Sequence, residues 1–275
     1  MKVHHLNCGT MRPAGGSLLD GGPGLWRRAE LVCHCLLIET GDSLVLVDTG
    51  FGTSGVARPG EWLGRPFLAM VGARPRAEET AVAQIKALGY DPSDVRHIVP
   101  THLDVDHAGG LADFPNAVVH VRTEEHRGAT SPSSANEKGR YRAAQFAHNP
   151  LWSTYSEAGE PWFGFEAVRS LKGLPEEILL VPLTGHTLGH SGVAVDTGEG
   201  WLLAAGDAYF FHGHVDPVTP QCPPGLTVFQ NLVQAARKAR LENLARLQEL
   251  VRDHQDDVTV FSAHSPVELA AARRR

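Results

Sequence analysis

The segment THLDVDHAGG, residues 101–110, constrains the fold of this chain more than any other stretch. It places two histidines and two aspartates between His102 and His107, directly after the apolar run HIVP. Imidazole and carboxylate groups are ligands that divalent transition metals use in proteins. A buried strand that runs out into a loop is also where α/β sheets usually carry their chemistry. The segment therefore predicts a metal site at the end of a central strand.

The rest of the chain reads as alternating strands and helices. Over residues 1–50, short apolar runs alternate with turns, and ETGDS between two of the runs predicts a hairpin. Apolar residues at helical spacing predict a helix over 78–88 and a long helix over 226–252. Further strands are predicted at 95–102, at 117–121, in EILLVPLTGHT, on both sides of the turn DTGEG, and in VTVFSAH.

Residues from about 122 to 165 are polar and irregular, and they include a predicted loop, TSPSSANEKG, and a group of aromatic residues. One interpretation is an insertion that lies over the site and lines an apolar pocket. The alternative is a subsidiary hydrophobic cluster under a long loop. The aromatic residues are Trp152, Tyr155, Trp162, Phe163 and Phe165.

Four places in the sequence share one property, a histidine or aspartate just beyond an apolar strand. They are His102–His107, His186 in PLTGHTLGH, Asp207 in LLAAGDAYF and His264 in VFSAHSP. These places are far apart along the chain, but parallel and mixed sheets bring strand ends to one rim. The pattern therefore predicts that the four places meet.

The order LVDTG, THLDVDHAGG, GHTLGHSG, GDA and SAH resembles the metallo-β-lactamase-fold hydrolase superfamily across almost the whole chain. Within that superfamily the chain looks most like the stand-alone lactonases and esterases. The resemblance implies an α/β fold, an αββα sandwich of two mixed sheets. It also implies a single domain over residues 1–275, with the stretch at about 122–165 as an insertion.

The resemblance further implies two divalent metal ions between the sheets. Two close ions polarise a substrate carbonyl and share a hydroxide that forms at neutral pH. Carried over position by position, one ion is held by His102, the residue at 104 and His186, the other by Asp106, His107 and His264, and Asp207 bridges them.

Asp104 departs from the commonest pattern of the family, which has histidine there. Alternation along an extended segment still turns Asp104 toward the metal beside His102. Three aspartates and a hydroxide sum to a charge that balances two divalent ions. An added oxygen ligand shifts the preference toward harder ions. Zinc is the first expectation, with iron or manganese as alternatives, and a site with one ion or none remains open.

Two residues are the catalytic candidates, the metal ligand Asp106 and Tyr209. In lactonase-like relatives a phenol near position 209 donates to the substrate oxygen, while the alternative is a core tyrosine with a satisfied hydroxyl. Asp48 in LVDTG is expected to support the histidine motif by hydrogen bonds. His190 is interpreted as a supporting or packing residue, and His212 and His214 as unassigned surface residues. Cys33 and Cys35 are interpreted as small buried hydrophobes.

The composition limits the kinds of partner that this chain is expected to bind. With 25 basic and 31 acidic residues the net charge is −6, which argues against a nucleic-acid partner. No apolar run approaches the length of a membrane helix or signal peptide, so we expect a cytoplasmic protein that does not bind membranes and acts on a small molecule. Four cysteines in a chain of this length predict free thiols. The oligomeric state is not readable from the sequence.

The leading hypothesis is a metal-dependent hydrolase in which a metal-bound hydroxide opens an ester or lactone. The alternative is an iron-dependent oxidoreductase that acts on oxygen or a sulfur compound, which some relatives with carboxylate-rich sites do. A third hypothesis is a binding module that has the same fold but no catalytic activity. Metal content and a panel of lactones and esters distinguish the three.

Overall fold

Two six-stranded sheets form the centre of the protein in the computed structural model, which describes residues 1–41, 43–156 and 159–274, without the side chains of residues 166–170. The first sheet contains, in spatial order, β1 (Lys2–Met11), β2 (Leu31–Glu39), β3 (Leu44–Val47), β4 (Val95–Val99), β5 (Val118–Arg122) and β6 (Leu151–Tyr155). The second contains β7 (Glu160–Trp162), β8 (Phe165–Ser170), β9 (Ile178–Pro182), β10 (Ser191–Asp196), β11 (Trp201–Ala204) and β12 (Val258–Phe261).

Both sheets are mixed. In the first, β1 to β3 pair antiparallel and β3 to β6 pair parallel. In the second, β7 to β11 pair antiparallel and β11 pairs parallel with β12. Parallel neighbours end on the same side of a sheet, so β3 and β4 end together, and so do β11 and β12.

Helices flank the sheets. Within the described residues, none of the helices has the length and apolar character needed to cross a lipid bilayer. The α-helices are α1 (Ser17–Asp20), α2 (Gly52–Ala57), α3 (Arg65–Val71), α4 (Ala81–Ala87), α5 (Thr123–Thr130), α6 (Ala135–Arg140), α7 (Pro224–Val233), α8 (Arg237–Asp253) and α9 (Pro266–Ala272). Shorter 3₁₀ segments are Ala77–Glu79, Pro92–Asp94, Leu111–Asp113, Ala143–Phe146, Gly206–Ala208 and His212–Val215, and Gly60–Gly64 forms a π-helical turn.

The hydrophobic clusters define four layers. Between the sheets, Leu36 and Val45 pack with Ile178 and Val193. The outer face of the first sheet packs on α4 and α5, and that of the second sheet packs on α8. Alternate residues of one strand serve the two faces, as period-two alternation requires. The predicted αββα sandwich of two mixed sheets is confirmed.

Most predicted elements have their expected places. The hairpin predicted from ETGDS joins β2 to β3, which pair antiparallel, although Asp42 lies outside the described residues. The helix predicted over 78–88 begins later, at Ala81, because the Thr80 side chain caps it by accepting a hydrogen bond from the Ala83 N–H. The strands predicted from the apolar runs correspond to β4, β5, β9, β10, β11 and β12.

The long helix predicted over 226–252 is wrong in one respect: the chain forms two helices, α7 and α8, with a break at residues 234–236. At the break, the Ala235 N–H donates to the carbonyls of Gly185 (3.0 Å) and His186 (2.9 Å). The Ala236 N–H donates to the Gly185 carbonyl as well, at 2.9 Å. Bonds to a distant loop replace helical bonds here, and the apolar spacing contains no signal of them.

The segment at 122–165 differs from the irregular insertion expected from the sequence. Its described residues form α5, α6, the 3₁₀ segment Ala143–Phe146, β6 and β7. β6 is a full member of the first sheet and pairs parallel with β5. The aromatic side chains pack into the core: Trp152 joins the cluster under α5, Tyr155 lies between the sheets, and Trp162, Phe163 and Phe165 join the cluster under α8.

Candidate metal centre

The predicted site residues meet where strands of both sheets end. His102 to His107 follow β4, whereas His186 lies between β9 and β10. Asp207 lies in the turn after β11, and His264 follows β12. Mixed sheets stacked face to face thus bring residues that are 162 positions apart to one rim. The convergence that the sequence predicts is present.

A first group of donors surrounds Asp207 Oδ2. His186 Nε2 lies 3.3 Å from this oxygen and His102 Nε2 lies 3.8 Å from it. Asp104 Oδ2 lies 3.0 Å from His186 Nε2 and 3.4 Å from His102 Nε2. The ligand atoms of His102, His186 and Asp207 all lie within 4.8 Å of one another, which is the spacing of atoms that share one ion.

A second group surrounds the other oxygen of Asp207. His264 Nε2 lies 3.0 Å and His107 Nε2 lies 3.3 Å from Asp207 Oδ1. Asp106 Oδ2 lies 3.6 Å from His264 Nε2 and 3.9 Å from His107 Nε2. Each oxygen of Asp207 therefore faces one donor group, which is the arrangement of a bridging carboxylate.

Several of these atoms have no hydrogen-bond partner among the described residues although they are buried. They include His102 Nε2, His107 Nε2, Asp104 Oδ1 and Asp207 Oδ1. Leaving such groups unsatisfied costs about 1–3 kcal/mol each, and more for charged groups. Three aspartates in one buried cluster also need positive charge nearby. The donor set therefore fits divalent cations.

The pKa values of these residues depend on one another. Burial lowers the pKa of His102 well below its ordinary value, and the neighbouring His107 adds to the effect. Burial lowers the pKa of His107 too, but Asp48, Asp207 and Asp106 outweigh it and hold the pKa well above its ordinary value. Burial raises the pKa of Asp106. The pKa of each of these side chains thus depends on its burial and on the charges of its neighbours.

Hydrogen bonds orient the imidazoles. His107 Nδ1 is 2.9 Å from Asp48 Oδ2, and His264 Nδ1 is 2.7 Å from the carbonyl oxygen of Val32. A carboxylate and a carbonyl accept only, so in both rings Nδ1 carries a proton and Nε2 is the nitrogen that faces the donor group. The Thr101 N–H also donates to Asp48 Oδ1, at 2.7 Å.

His190 holds the bridging residue from behind. Its Nδ1 donates to the Leu183 carbonyl (2.9 Å), and its Nε2 accepts from the backbone N–H of Asp207 (2.9 Å). His190 is fully buried and supports Asp207 through its backbone. His212 and His214 lie in the 3₁₀ segment after Asp207; His214 is buried against Tyr209, and neither belongs to the two donor groups.

Tyr209 does not have the place that its predicted role needs. Its side chain is fully buried, and its hydroxyl donates to Glu268 Oε1 at 2.8 Å. The next residue, Phe210, lies against the site instead, with its ring stacked on His264. Side chains at consecutive positions point to different sides here, so the phenol faces α9 while the phenyl ring faces the donors.

Three residues near the site were missed by the sequence reasoning. Arg140, at the end of α6, donates from Nη1 to Asp104 Oδ2 at 2.6 Å. Burial raises the pKa of Asp104, but the Arg140 guanidinium and His102 outweigh it, and the pKa lies well below its ordinary value. Arg140 adds a positive charge that the balance drawn from the motif left out. The motif carries no signal of it, because it lies in the segment interpreted as an irregular insertion.

Glu125 and Cys33 are the other two. Glu125 is buried, accepts from the Leu103 N–H at 2.9 Å, and also accepts from the hydroxyls of Tyr141 and Thr187. It thereby ties α5 to two of the loops that carry donors, those of His102 and His186. Cys33, which the sequence predicts to be a small buried hydrophobe, has its sulfur within 4.8 Å of ligand atoms of Asp106 and His264 and so borders the second group.

A cavity of about 390 Å³ opens onto the donors. Asp104, Asp106, His186, Asp207 and His264 lie on its floor. The five aromatic residues predicted to line it are not among the described residues that do so. Its apolar walls come from other elements and include Leu63, Phe67, Met70, Phe210, Phe229 and Leu232.

Comparison with known proteins gives related sequences. A sequence model described as the metallo-beta-lactamase superfamily matches residues 28–251. The chain is 44% identical to a "probable metallo-hydrolase" of Mycobacterium tuberculosis over 268 residues, which cover 97% of this chain and 81% of the relative. It is 29% identical to an N-acyl homoserine lactonase of a Bacillus species over 192 residues, covering 67% of this chain and 68% of the relative.

Solved structures share the fold. An N-acyl homoserine lactone hydrolase, with the product N-hexanoyl-L-homoserine bound at its catalytic metal centre, matches with a TM-score of 0.70 at 21% identity, covering 98% of this chain and 95% of that one. A dizinc quorum-quenching lactonase matches with a TM-score of 0.62 at 15% identity, covering 96% and 87%. Both likenesses are to the fold.

Proposed function

The chain belongs to the metallo-β-lactamase superfamily, and from this premise we propose that it is a metal-dependent hydrolase that cleaves a small lactone or ester with an apolar acyl portion. One observation carries the proposal: two groups of buried donors share Asp207 at the floor of an apolar cavity. Convergent polar groups in an apolar pocket are typical of a small-molecule site. The named relatives are hydrolases, so the oxidoreductase alternative is not favoured.

Seven side chains would hold two divalent ions, with zinc as our first choice. When bound, such ions supply Lewis acidity, which polarises an ester carbonyl and lowers the pKa of water. A solved structure of similar fold is a dizinc lactonase, which supports the choice of zinc. We assign His102, Asp104 and His186 to one ion, Asp106, His107 and His264 to the other, and Asp207 to both.

The chain's own residues prepare the reaction. Asp48 and the Val32 carbonyl hold the imidazoles of His107 and His264 so that their Nε2 atoms would be available to a bound ion. Asp106 lies on the cavity floor, so we keep it as the catalytic candidate that reaches substrate. The apolar walls bind the acyl portion and exclude water, which strengthens every electrostatic interaction at the floor. A volume of about 390 Å³ is small for a ligand pocket and favours a short or medium acyl group.

The test combines metal analysis with a substrate panel. Protein purified without chelator is examined for zinc, iron and manganese, and assayed with N-acyl homoserine lactones, simple lactones, aryl esters and thioesters. We expect lactone or ester turnover that a chelator abolishes and zinc restores. His186→Ala should lower kcat/KM by about 100-fold or more, whereas His254→Ala, at a partly exposed position outside both donor groups, should leave it unchanged. Bound iron with oxygen consumption and no ester turnover would overturn the proposal.

A further inference from the structure

Arg140 brings a positive charge into the first donor group. Its guanidinium Nη1 lies 2.6 Å from Asp104 Oδ2 and 2.9 Å from His186 Nε2. Its Nη2 donates to the carbonyl of Val233 at the end of α7. The side chain is only 10% exposed, so the cation is held between α6, α7 and the cavity floor.

The second donor group has different neighbours. In the described part of the chain, the ion pairs of Asp106, His107 and His264 are formed with aspartates and histidines, and no arginine or lysine takes part. The two groups therefore share Asp207 but differ in charge. Asp104 is compensated by Arg140, whereas Asp106 is not.

This difference has a direct electrostatic consequence. A guanidinium stays protonated in proteins, so its charge persists at any working pH. Repulsion between two cations a few ångströms apart is strong where water is excluded. Arg140 also engages one oxygen of Asp104 and the ring nitrogen of His186, which are two of the atoms that an ion at this group needs. Both effects oppose a metal ion at the first group.

We propose that Arg140 makes the first donor group the weaker of two metal sites, so that the second group, around Asp106, His107 and His264, fills at lower metal concentration. This inference rests on the proposed function, in that it takes both groups as metal sites. Arg140 could instead orient a ligand. If it mainly holds Asp104 in place for the metal, then removing Arg140 weakens metal binding at the first group. Charge and orientation predict changes of opposite sign.

The experiment is a substrate-free metal titration. Metal-depleted protein is titrated with zinc against a chromophoric chelator, and with cobalt while its visible absorption is followed, at one pH near neutrality. We expect the wild type to bind a second equivalent about tenfold more weakly than the first, or weaker still. Arg140→Gln should tighten the second equivalent by about tenfold or more, about 1.4 kcal/mol, and leave the first unchanged.

Matched variants separate the charge from other effects. Arg140→Lys keeps the charge and should retain the weak second equivalent. Arg142→Gln removes a charge that lines the same cavity and should change neither affinity. Adding His186→Ala to Arg140→Gln should cancel the gain, because the tightened site is the one that uses His186. Circular dichroism and thermal unfolding verify that each variant is folded.

An unchanged or weaker second equivalent in Arg140→Gln would overturn the inference. If that variant does not fold, single donor variants of the wild type decide between the two roles. His186→Ala should abolish binding of the weaker equivalent, and His264→Ala should abolish binding of the tighter one. The reverse assignment would refute the inference. The readout is independent of substrate. Failure to hydrolyse any lactone or ester would therefore contradict the proposed function only. The order of metal binding would still be tested by the titration.

Discussion

Asp48 has a backbone conformation that its side chain rarely adopts. Its φ of 57° lies in the left-handed region, and the residue is buried. Non-glycine residues there are uncommon and persist where the surroundings determine them. The side chain accepts from the Thr101 N–H and hydroxyl and from His107. The turn after β3 is thus kept in this conformation by bonds that also orient a proposed ligand.

Asp48→Asn should weaken metal binding with little change in shape. With its oxygen retained toward the Thr101 N–H, the new amide N–H faces His107 Nδ1, which must then accept. The proton moves to His107 Nε2, the atom that has to stay free for a metal. We expect affinity to fall by about 10- to 100-fold, measured by titration with zinc. Asp196→Asn, in a distant turn, is the control, and equal affinity in both variants would contradict us.

Tyr209→Phe should leave catalysis intact and reduce stability. The hydroxyl contacts Glu268, so its loss removes one buried hydrogen bond, worth about 1 kcal/mol. We expect a lower urea midpoint and a kcat/KM for lactones or esters that stays at the wild-type value. A large fall in kcat/KM at wild-type stability would return Tyr209 to the mechanism.

Glu268 should make stability depend on pH. Burial raises its pKa from 4.5 to about 7. Between these values the folded protein keeps a proton that the unfolded chain releases, so the free energy of unfolding falls as pH rises from 4.5 to about 7. At about 1.36 kcal/mol per unit, the loss approaches about 3 kcal/mol. The free energy of unfolding of wild type and Glu268→Gln, measured with urea across this pH range, tests this expectation. The same pH dependence in both proteins would show it to be wrong.

At the scale of elements, the break between α7 and α8 positions a loop of the site. The Ala235 N–H donates to the carbonyls of Gly185 and of His186, whose own imidazole is one of the donors. Gly185 also lies so close to α8 that an added Cβ would be 2.5 Å from Arg240 atoms. The backbone of the His186 loop is therefore fixed by the helices as well as by its own strands.

Ala235→Pro should loosen this loop. Proline has no N–H, and the extended backbone at Gln234 accepts a following proline, so the change removes these hydrogen bonds. We expect the free energy of unfolding to fall by about 1–3 kcal/mol and zinc affinity to fall with it. Ala235→Ser keeps the N–H at this exposed position and serves as the control. Equal unfolding midpoints in the two variants would contradict the role given to the break.

The elements also explain which parts of the protein could be predicted from the sequence. His102 to His107 are contiguous, and the apolar runs before His186, Asp207 and His264 mark strand ends, so fold and donor positions were readable. The contacts of residues in ordinary polar stretches could not be predicted from the sequence. Glu125 and Arg140 look like surface helix residues in the sequence, and only the packing of α5 and α6 against the donor loops buries them. For Tyr209 a catalytic role and a core position were both open, because a turn carries no fixed periodicity that tells where a side chain points, and the structure shows the core position.

At the scale of the whole molecule, the site joins the two sheets. Asp104, Asp106 and His107 follow a strand of the first sheet, whereas Asp207 and His264 follow strands of the second. The interior between the sheets is apolar and packs without the site. The buried carboxylates of Asp106 and Asp207 at its rim nevertheless repel each other unless positive charge lies between them. Bound metal should therefore act as a link between the sheets as well as a catalyst.

Metal removal should lower the thermal stability of the entire protein. A ligand at about 100 times its Kd stabilises the folded state by about 2.7 kcal/mol, and in a chain of this size each kcal/mol corresponds to about 2–4 °C. We expect a chelator to lower the Tm by about 5–10 °C and added zinc to restore it. His254→Ala should show the same shift, whereas His264→Ala should show a smaller one, because it lacks a donor that joins the sheets. An identical Tm with and without chelator, at proven metal loss, would mean that the sheets hold together independently of the ions.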